Sequence, residues 1–66
     1  MFISVITDIN GTAMYVKDNG NLTRNADEAE TFFTEGMAEA WGELMATSIP
    51  EHRRERLGIK AHGQEI

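Results

Sequence analysis

The sequence of 66 residues contains no cysteine and only one proline. Because no thiol is present, neither a disulfide bond nor a cysteine site can form. Long apolar runs are also missing, so no segment reaches the length of a membrane span. The first residues lack the basic region and the apolar stretch of a signal peptide. We therefore expect a cytoplasmic protein that does not contact a membrane.

Basic residues are scarce as well, since six Lys and Arg stand against eleven Asp and Glu. They are also unevenly placed. Residues 1–49 hold two basic and eight acidic residues, a net charge of −6, whereas residues 50–66 hold four basic and three acidic residues, a net charge of +1. Binding to phosphate needs a basic face, so a general affinity for nucleic acid is not expected.

A chain of this length forms one small domain and buries a limited share of its apolar surface. Its 41% hydrophobic and 26% charged residues are typical of a globular protein. No helix or strand pattern follows Gly58. We expect residues 1–58 to form a single α+β domain and residues 59–66 to form a flexible C-terminal tail.

Two strands joined by a tight turn are predicted at the start of the chain. Phe2–Thr7 and Thr12–Lys17 are rich in β-branched and aromatic residues. Asn10-Gly11 between them is typical of a type I′ hairpin turn, which would place Val5 opposite Val16. A second turn signal, Asp18-Asn19-Gly20-Asn21, predicts a short third strand at Leu22–Arg24.

This register divides the apolar residues of the sheet between two faces. The face expected to receive a helix carries Ile3, Val5, Ile9, Met14 and Val16. Since one helix covers only one face, either the C-terminal segment or a second copy of the chain is expected to cover the other. Exposed apolar patches often mark interfaces, and a homodimer is the favoured arrangement. The predicted homodimer contact consists of Phe2, Ile6, Tyr15 and Leu22.

The stretch from Asn25 to Ser48 is predicted to form one long amphipathic helix. Its apolar stripe consists of Ala26, Ala29, Phe33, Met37, Ala40, Leu44 and Ser48, flanked by Gly36, Trp41 and Met45. Such a stripe usually belongs to the core; the alternative is that Trp41 with Met37, Leu44 and Met45 forms a hydrophobic anchor for a partner. Asn25 and Glu28 have the spacing of a capping box. An alternative stays open, because residues 31–34 also fit a short strand. In that version a helical turn spans residues 26–30 and the helix begins at Glu35.

The other side of this predicted helix carries six acidic residues and no Lys or Arg. Like charges at four-residue spacing repel each other on adjacent turns. Such a face is either simply solvated or meets a basic surface of another protein. The residues predicted to bind that partner are Glu28, Glu35, Glu39 and Glu43.

A short second helix is predicted from Ile49 to Leu57, ended by Gly58. Ser48 is its expected N-cap. Three cations near its C-terminal end form a possible secondary contact with phosphate or an acidic protein, or pair with neighbouring acids. They are Arg53, Arg54 and Arg56.

No catalytic residue, metal site or cofactor is predicted. His52 and His62 lack a third ligand nearby in the sequence. Val5–Thr12 resembles the first motif of the haloacid-dehalogenase phosphatases, a strand ending in D-x-D-G-T, which implies a phosphoryl-accepting role for Asp8. Asn10 stands where that family has its second carboxylate, and a hairpin turn accounts for the same residues. We expect that the protein is not an enzyme.

The predicted fold is therefore α+β: a β-hairpin or short three-stranded antiparallel meander packed on one long amphipathic helix, followed by a short C-terminal helix. The predicted function is that of a small acidic protein-binding module. In size, charge and lack of cysteine it resembles accessory proteins of phages and mobile elements, including inhibitors of host defence proteins. The alternatives are a structural or assembly subunit and a nucleic-acid-contacting regulator. The order of strands and helix is similar to that of small antitoxins with a partial ribonuclease-H-like domain.

Overall fold

The structure is a computed structural model that describes residues 1–18 and 21–66. It confirms an α+β fold, a curled antiparallel sheet with one longer and one shorter helix. The strands are Phe2–Thr7 (β1), Ala13–Val16 (β2), Leu22–Thr23 (β3), Thr31–Phe32 (β4) and Lys60–Glu65 (β5), and the helices are Glu35–Ala46 (α1) and Glu51–Leu57 (α2).

β1 is the central strand of the sheet. β5 pairs with all six of its residues, whereas β2 pairs with residues 5–7 and β4 with residues 2–3. A strand has only two edges, so β2 and β4 follow each other along one edge and β5 occupies the other. The backbone N–H of Glu30 donates to the carbonyl of Val16 at 2.9 Å and joins the ends of β2 and β4. We call the described residues between these two strands, 17–18 and 21–30, the excursion between β2 and β4.

The last segment differs from the prediction, because residues 60–65 form strand β5 and not a tail without regular structure. Its two small residues face α1, and its polar residues alternate with them. The small residues are Ala61 and Gly63. An alternation of small and polar residues gives almost no hydrophobic pattern from which a strand could be predicted. The strand forms through its pairing with β1.

The connection between β1 and β2 is wider than the predicted two-residue turn. Ile6 lies opposite Met14, one position away from the predicted register. The cause is a loop organised by Asp8, whose Oδ1 accepts from the backbone N–H groups of Asn10 at 2.9 Å and Thr12 at 3.0 Å. The second predicted turn falls partly on Asn19 and Gly20, which lie outside the described residues, and the third strand after it is confirmed at Leu22–Thr23.

The shifted register changes which face of the sheet receives α1. Residues directly opposite each other in antiparallel strands point to the same face, so Met14 and Val16 lie with Ile6 and Ser4. α1 packs on this face, and the prediction that it covers Ile3 and Val5 is wrong. These two side chains are buried on the other face of the curled sheet.

The prediction of a single helix from Asn25 to Ser48 is also wrong. The alternative, in which a helical turn and a strand precede the helix, is correct. Ala26–Glu28 forms one 3₁₀ turn, in which Asn25 accepts from the N–H of Asp27 at 3.0 Å. The chain is then extended through β4. α1 begins only after Thr34, whose side chain accepts from the N–H of Met37 at 3.1 Å and caps the helix.

Phe32 explains why the chain is extended before α1. Its backbone pairs with Phe2, and its side chain is buried. The ring also stacks on Trp41, with ring centroids 6.5 Å apart. Burial of a large aromatic side chain outweighs the modest helix propensity of the preceding residues.

α1 contacts the sheet through its smallest residues. Ala38, Gly42 and Ala46 follow each other at four-residue spacing and are buried. A Cβ atom on Gly42 would overlap the Oγ of Ser4 and lie 2.9 Å from the Cβ of Ala61. The helix backbone therefore lies directly against β1 and β5.

α2 ends as predicted and begins two residues later than predicted. Gly58 adopts the left-handed conformation, with φ of 61°. The helix starts after Pro50, and the predicted cap, Ser48, instead donates its hydroxyl to the carbonyl of Met45 at 2.8 Å. The N–H of Ile9 donates to the carbonyl of Leu57 at 2.6 Å, which ties α2 to the Asp8 loop.

Candidate protein-binding surface

The outer side of α1 exposes large apolar residues that the sequence pattern assigns to the core. Phe33 lies just before the N-cap of α1, whereas Met37, Trp41 and Leu44 lie on the helix, and we call these four residues the apolar ridge. Their exposed fractions are 79%, 46%, 44% and 54%, whereas Ala38 on the inner side is fully buried. The predicted burial of this stripe is wrong because the close approach of α1 to the sheet admits only small side chains.

Three glutamates lie on another side of α1. We call Glu35, Glu39 and Glu43 the acidic row; all three are exposed. A helix turns by about 100° per residue, so Glu39 follows the buried Ala38 on one flank and Met37 precedes it on the opposite flank. The acidic row and the apolar ridge therefore border the buried face on opposite sides.

Contacts with the sheet fix the direction of each flank. Trp41 of the apolar ridge stacks on Phe32 of β4. Glu35 lies beside Gly63 of β5, where a Cβ on the glycine would be 3.0 Å from its Cγ. The apolar ridge thus faces the side of β4, and the acidic row faces the side of β5.

The acidic row is not neutralised within α1, which contains no Lys or Arg. Among the residues that the structure describes, none of its carboxylates forms an ion pair. At one end, Glu43 borders a cleft of about 520 Å³ that Arg54 and Lys60 also line. The negative charge is therefore least compensated towards Glu35 and Glu39.

Glu28 does not belong to this surface, although the sequence groups it with the other glutamates. It lies in the 3₁₀ turn, where its carboxylate accepts from the hydroxyl of Thr23 at 2.9 Å and lies 3.7 Å from the ammonium of Lys17. These contacts fasten the excursion between β2 and β4. Glu28 has a local structural role, and only three of the four predicted partner-binding residues share one helix.

The four residues of the predicted homodimer contact do not form one surface. Ile6 is buried, and Phe2 is partly buried on the same face, towards α1. Tyr15 pairs with Val5 and points to the other face. Leu22 is exposed at the far edge of the sheet. The one-residue shift in register moves Tyr15 to the other face, and the position of Leu22 at the far edge separates it from Phe2 and Ile6.

The three arginines of α2 are also divided. Arg53 and Arg56 are exposed, whereas Arg54 is half-buried and turned towards the cleft at α1 and β5. The Nε of Arg54 is buried and has no hydrogen-bond partner among the described residues. The structure therefore presents two outward arginines on α2 and not a patch of three.

Asp8, which the phosphatase-like motif singles out, lies in a loop between two antiparallel strands. Its Oδ1 accepts two backbone hydrogen bonds, and the N–H of Gly11 donates to its carbonyl at 3.0 Å. Gly11 has φ of 82°, which suits the glycine of the motif. The motif residues thus shape the loop.

Comparison with protein-family models, with curated proteins and with solved structures found no match. In the described part of the chain, neither helix has the length and apolarity that a membrane crossing requires.

The residues that sequence reasoning misplaced are those of the apolar ridge. Their spacing fits an amphipathic stripe, and such stripes usually face a core. A second stripe was present in the sequence, namely Ala38, Gly42 and Ala46 at four-residue spacing. Small residues at this spacing permit close approach of a backbone, and this signal identifies the inner face of α1.

Proposed function

We propose that the protein is a small acidic protein-binding module that docks through the exposed flanks of α1, the acidic row on one and the apolar ridge on the other. The observation that carries this proposal is the division of the helix. Its small residues pack on the sheet, whereas its apolar ridge and its acidic row are exposed. Exposed apolar residues in a group are typical of interaction sites.

The acidic row favours a partner with a basic surface. Opposite charges across an interface speed association and select the partner. The apolar ridge supplies side chains that docking would remove from water. Aromatic side chains such as Trp41 often dominate the binding energy of an interface. A module of this type inhibits its partner when the basic surface that it covers is the one that the partner uses.

Charge reversal at two positions of the acidic row tests the proposal. We expect the Glu39→Lys/Glu43→Lys variant to lose the basic proteins that the wild-type chain captures from a lysate of its source cells. The Asp27→Lys/Glu30→Lys variant is the matched control, because it changes the net charge equally on the excursion between β2 and β4. If the reversed variant captures the same proteins as the wild type and the control, the acidic row is not the binding surface.

Trp41 gives a direct signal for the same interaction. It is the single tryptophan of the chain and lies on the apolar ridge. Addition of a captured partner should shift its emission to shorter wavelength, since docking removes the half-exposed ring from water. An unchanged emission at saturating partner would show that the apolar ridge takes no part in the contact.

A further inference from the structure

β5 offers an edge of six residues for pairing with another strand. It pairs with β1 along one edge, and no strand of the described residues pairs with its other edge. The N–H of Ile66 donates to the carbonyl of Met1 at 3.1 Å, which makes this a hydrogen-bonded pair. Such pairs alternate along an antiparallel ladder. The backbone groups of Ala61, Gly63 and Glu65 therefore point away from β1.

The acidic row runs alongside this edge. A Cβ on Gly63 would lie 3.2 Å from the Cβ of Ala38, and a Cβ on Gly42 would lie 2.9 Å from that of Ala61. The step of one helical turn from Ala38 to Gly42 thus runs beside the step of two strand residues from Gly63 back to Ala61. The helix follows the strand and places its acidic flank above the open edge.

The repeat of the acidic row matches the repeat of a β-strand. Four helical residues advance by about 6 Å, and two strand residues advance by about 6.7 Å. A strand added to β5 would point alternate side chains to the α1 face of the sheet, where they meet Glu35, Glu39 and Glu43 in turn.

A second copy of the chain does not suit this edge. Two β5 strands related by a two-fold axis would form one continuous sheet with both α1 helices on the same face. Their acidic rows would then lie beside each other, with no Lys or Arg in either helix. Like charges in this arrangement repel, so the charges favour a basic occupant.

We propose that β5 accepts an extended segment of a basic protein as an additional strand, with Lys or Arg at alternate positions facing the acidic row. This inference rests on the proposed function and specifies how the partner binds. Backbone hydrogen bonds to Ala61, Gly63 and Glu65 hold the segment, and the acidic row selects its charge.

Amide hydrogen exchange, measured by NMR on the full-length chain, tests this proposal. The probe is a short peptide of alternating Lys and Thr, and the control peptide has the same composition with its lysines in one block. At about nine-tenths occupancy, the outward amides of Ala61, Gly63 and Glu65 should exchange about tenfold more slowly. The inward amides of His62 and Gln64 already bond to β1 and serve as the internal reference.

Two variants complete the experiment. The Glu39→Lys/Glu43→Lys variant should lose the protection, and the Asp27→Lys/Glu30→Lys control should keep it. Protection that increases with protein concentration in the absence of peptide would show a second copy on the edge and overturn the proposal. Failure of the alternating peptide to bind at low salt, or equal protection by both peptides, would overturn it as well.

The outcomes separate this proposal from the proposed function. If captured partners depend on the acidic row but leave the three outward amides unprotected, strand addition is wrong and the proposed function stands. If capture itself does not depend on the acidic row, the proposed function fails.

Discussion

The two sides of α1 differ in the size of their residues and in what they contact. The inner side presents Ala38, Gly42 and Ala46 to β1 and β5, and these residues are buried. The outer side presents Met37, Trp41 and Leu44, which are about half exposed. Large side chains on the inner side would hold the helix away from the sheet. The small residues thus determine how α1 packs, and the large ones remain available for contacts with a partner.

The largest effect is expected from adding one methyl group to the inner side. Gly42→Ala places a Cβ against Ser4 and Ala61 and should lower the free energy of unfolding by about 1–3 kcal/mol, the usual cost of overpacking. Urea denaturation measures this change.

Gly36→Ala is the matched control for this substitution. A Cβ at Gly36 meets nothing within 4 Å, so the change should be neutral or stabilising by up to about 1 kcal/mol. Equal effects of the two substitutions would show that Gly42 does not face the sheet.

An intermediate effect is expected on the outer side, where one residue of the ridge touches the sheet and another does not. Trp41→Ala removes the stacking on Phe32 and should cost about 1 kcal/mol. Leu44→Ala should cost less than about 0.5 kcal/mol, because substitutions at exposed positions are mild. Thermal unfolding of both variants gives the comparison, and a larger loss for Leu44→Ala would mean that Leu44 is part of the core.

The smallest effect is expected beneath Gly42, where the Oγ of Ser4 is buried without a hydrogen-bond partner among the described residues. Ser4→Ala removes this unpaired group and should be neutral or stabilising by up to about 1 kcal/mol. It also removes the atom closest to a Cβ on Gly42, so the double variant Ser4→Ala/Gly42→Ala should lose less stability than the sum of the single changes. If urea denaturation shows that the stability change of the double variant equals the sum of the two single changes, Ser4 and Gly42 are not in contact.

Local signals allowed part of the fold to be predicted from the sequence. β1 is rich in β-branched residues, and α2 ends at a glycine that adopts the left-handed conformation. The break before α1 was predictable only as an alternative. Whether the chain is broken there depends on the pairing of Phe32 with Phe2, a contact between residues far apart in the chain.

The remaining features depend on tertiary contacts that leave weak traces in the sequence. β5 is defined by its pairing with β1, and the register of β2 is set by the two hydrogen bonds to the Asp8 carboxylate. The exposure of Glu39 and Glu43 was predictable from charge alone. The orientation of their flank towards β5 was not, because it follows from which side of α1 can approach the sheet.

The packing of α1 is tested most directly by proton–proton distances from NMR. The α-protons of Gly42 should show nuclear Overhauser effects to the β-protons of Ser4 and to the methyl group of Ala61. The methyl groups of Met37 and Leu44 should show none to these two residues. Strong effects from Leu44 to Ser4 or Ala61, with Gly42 free of contacts to the sheet, would contradict this arrangement of the helix.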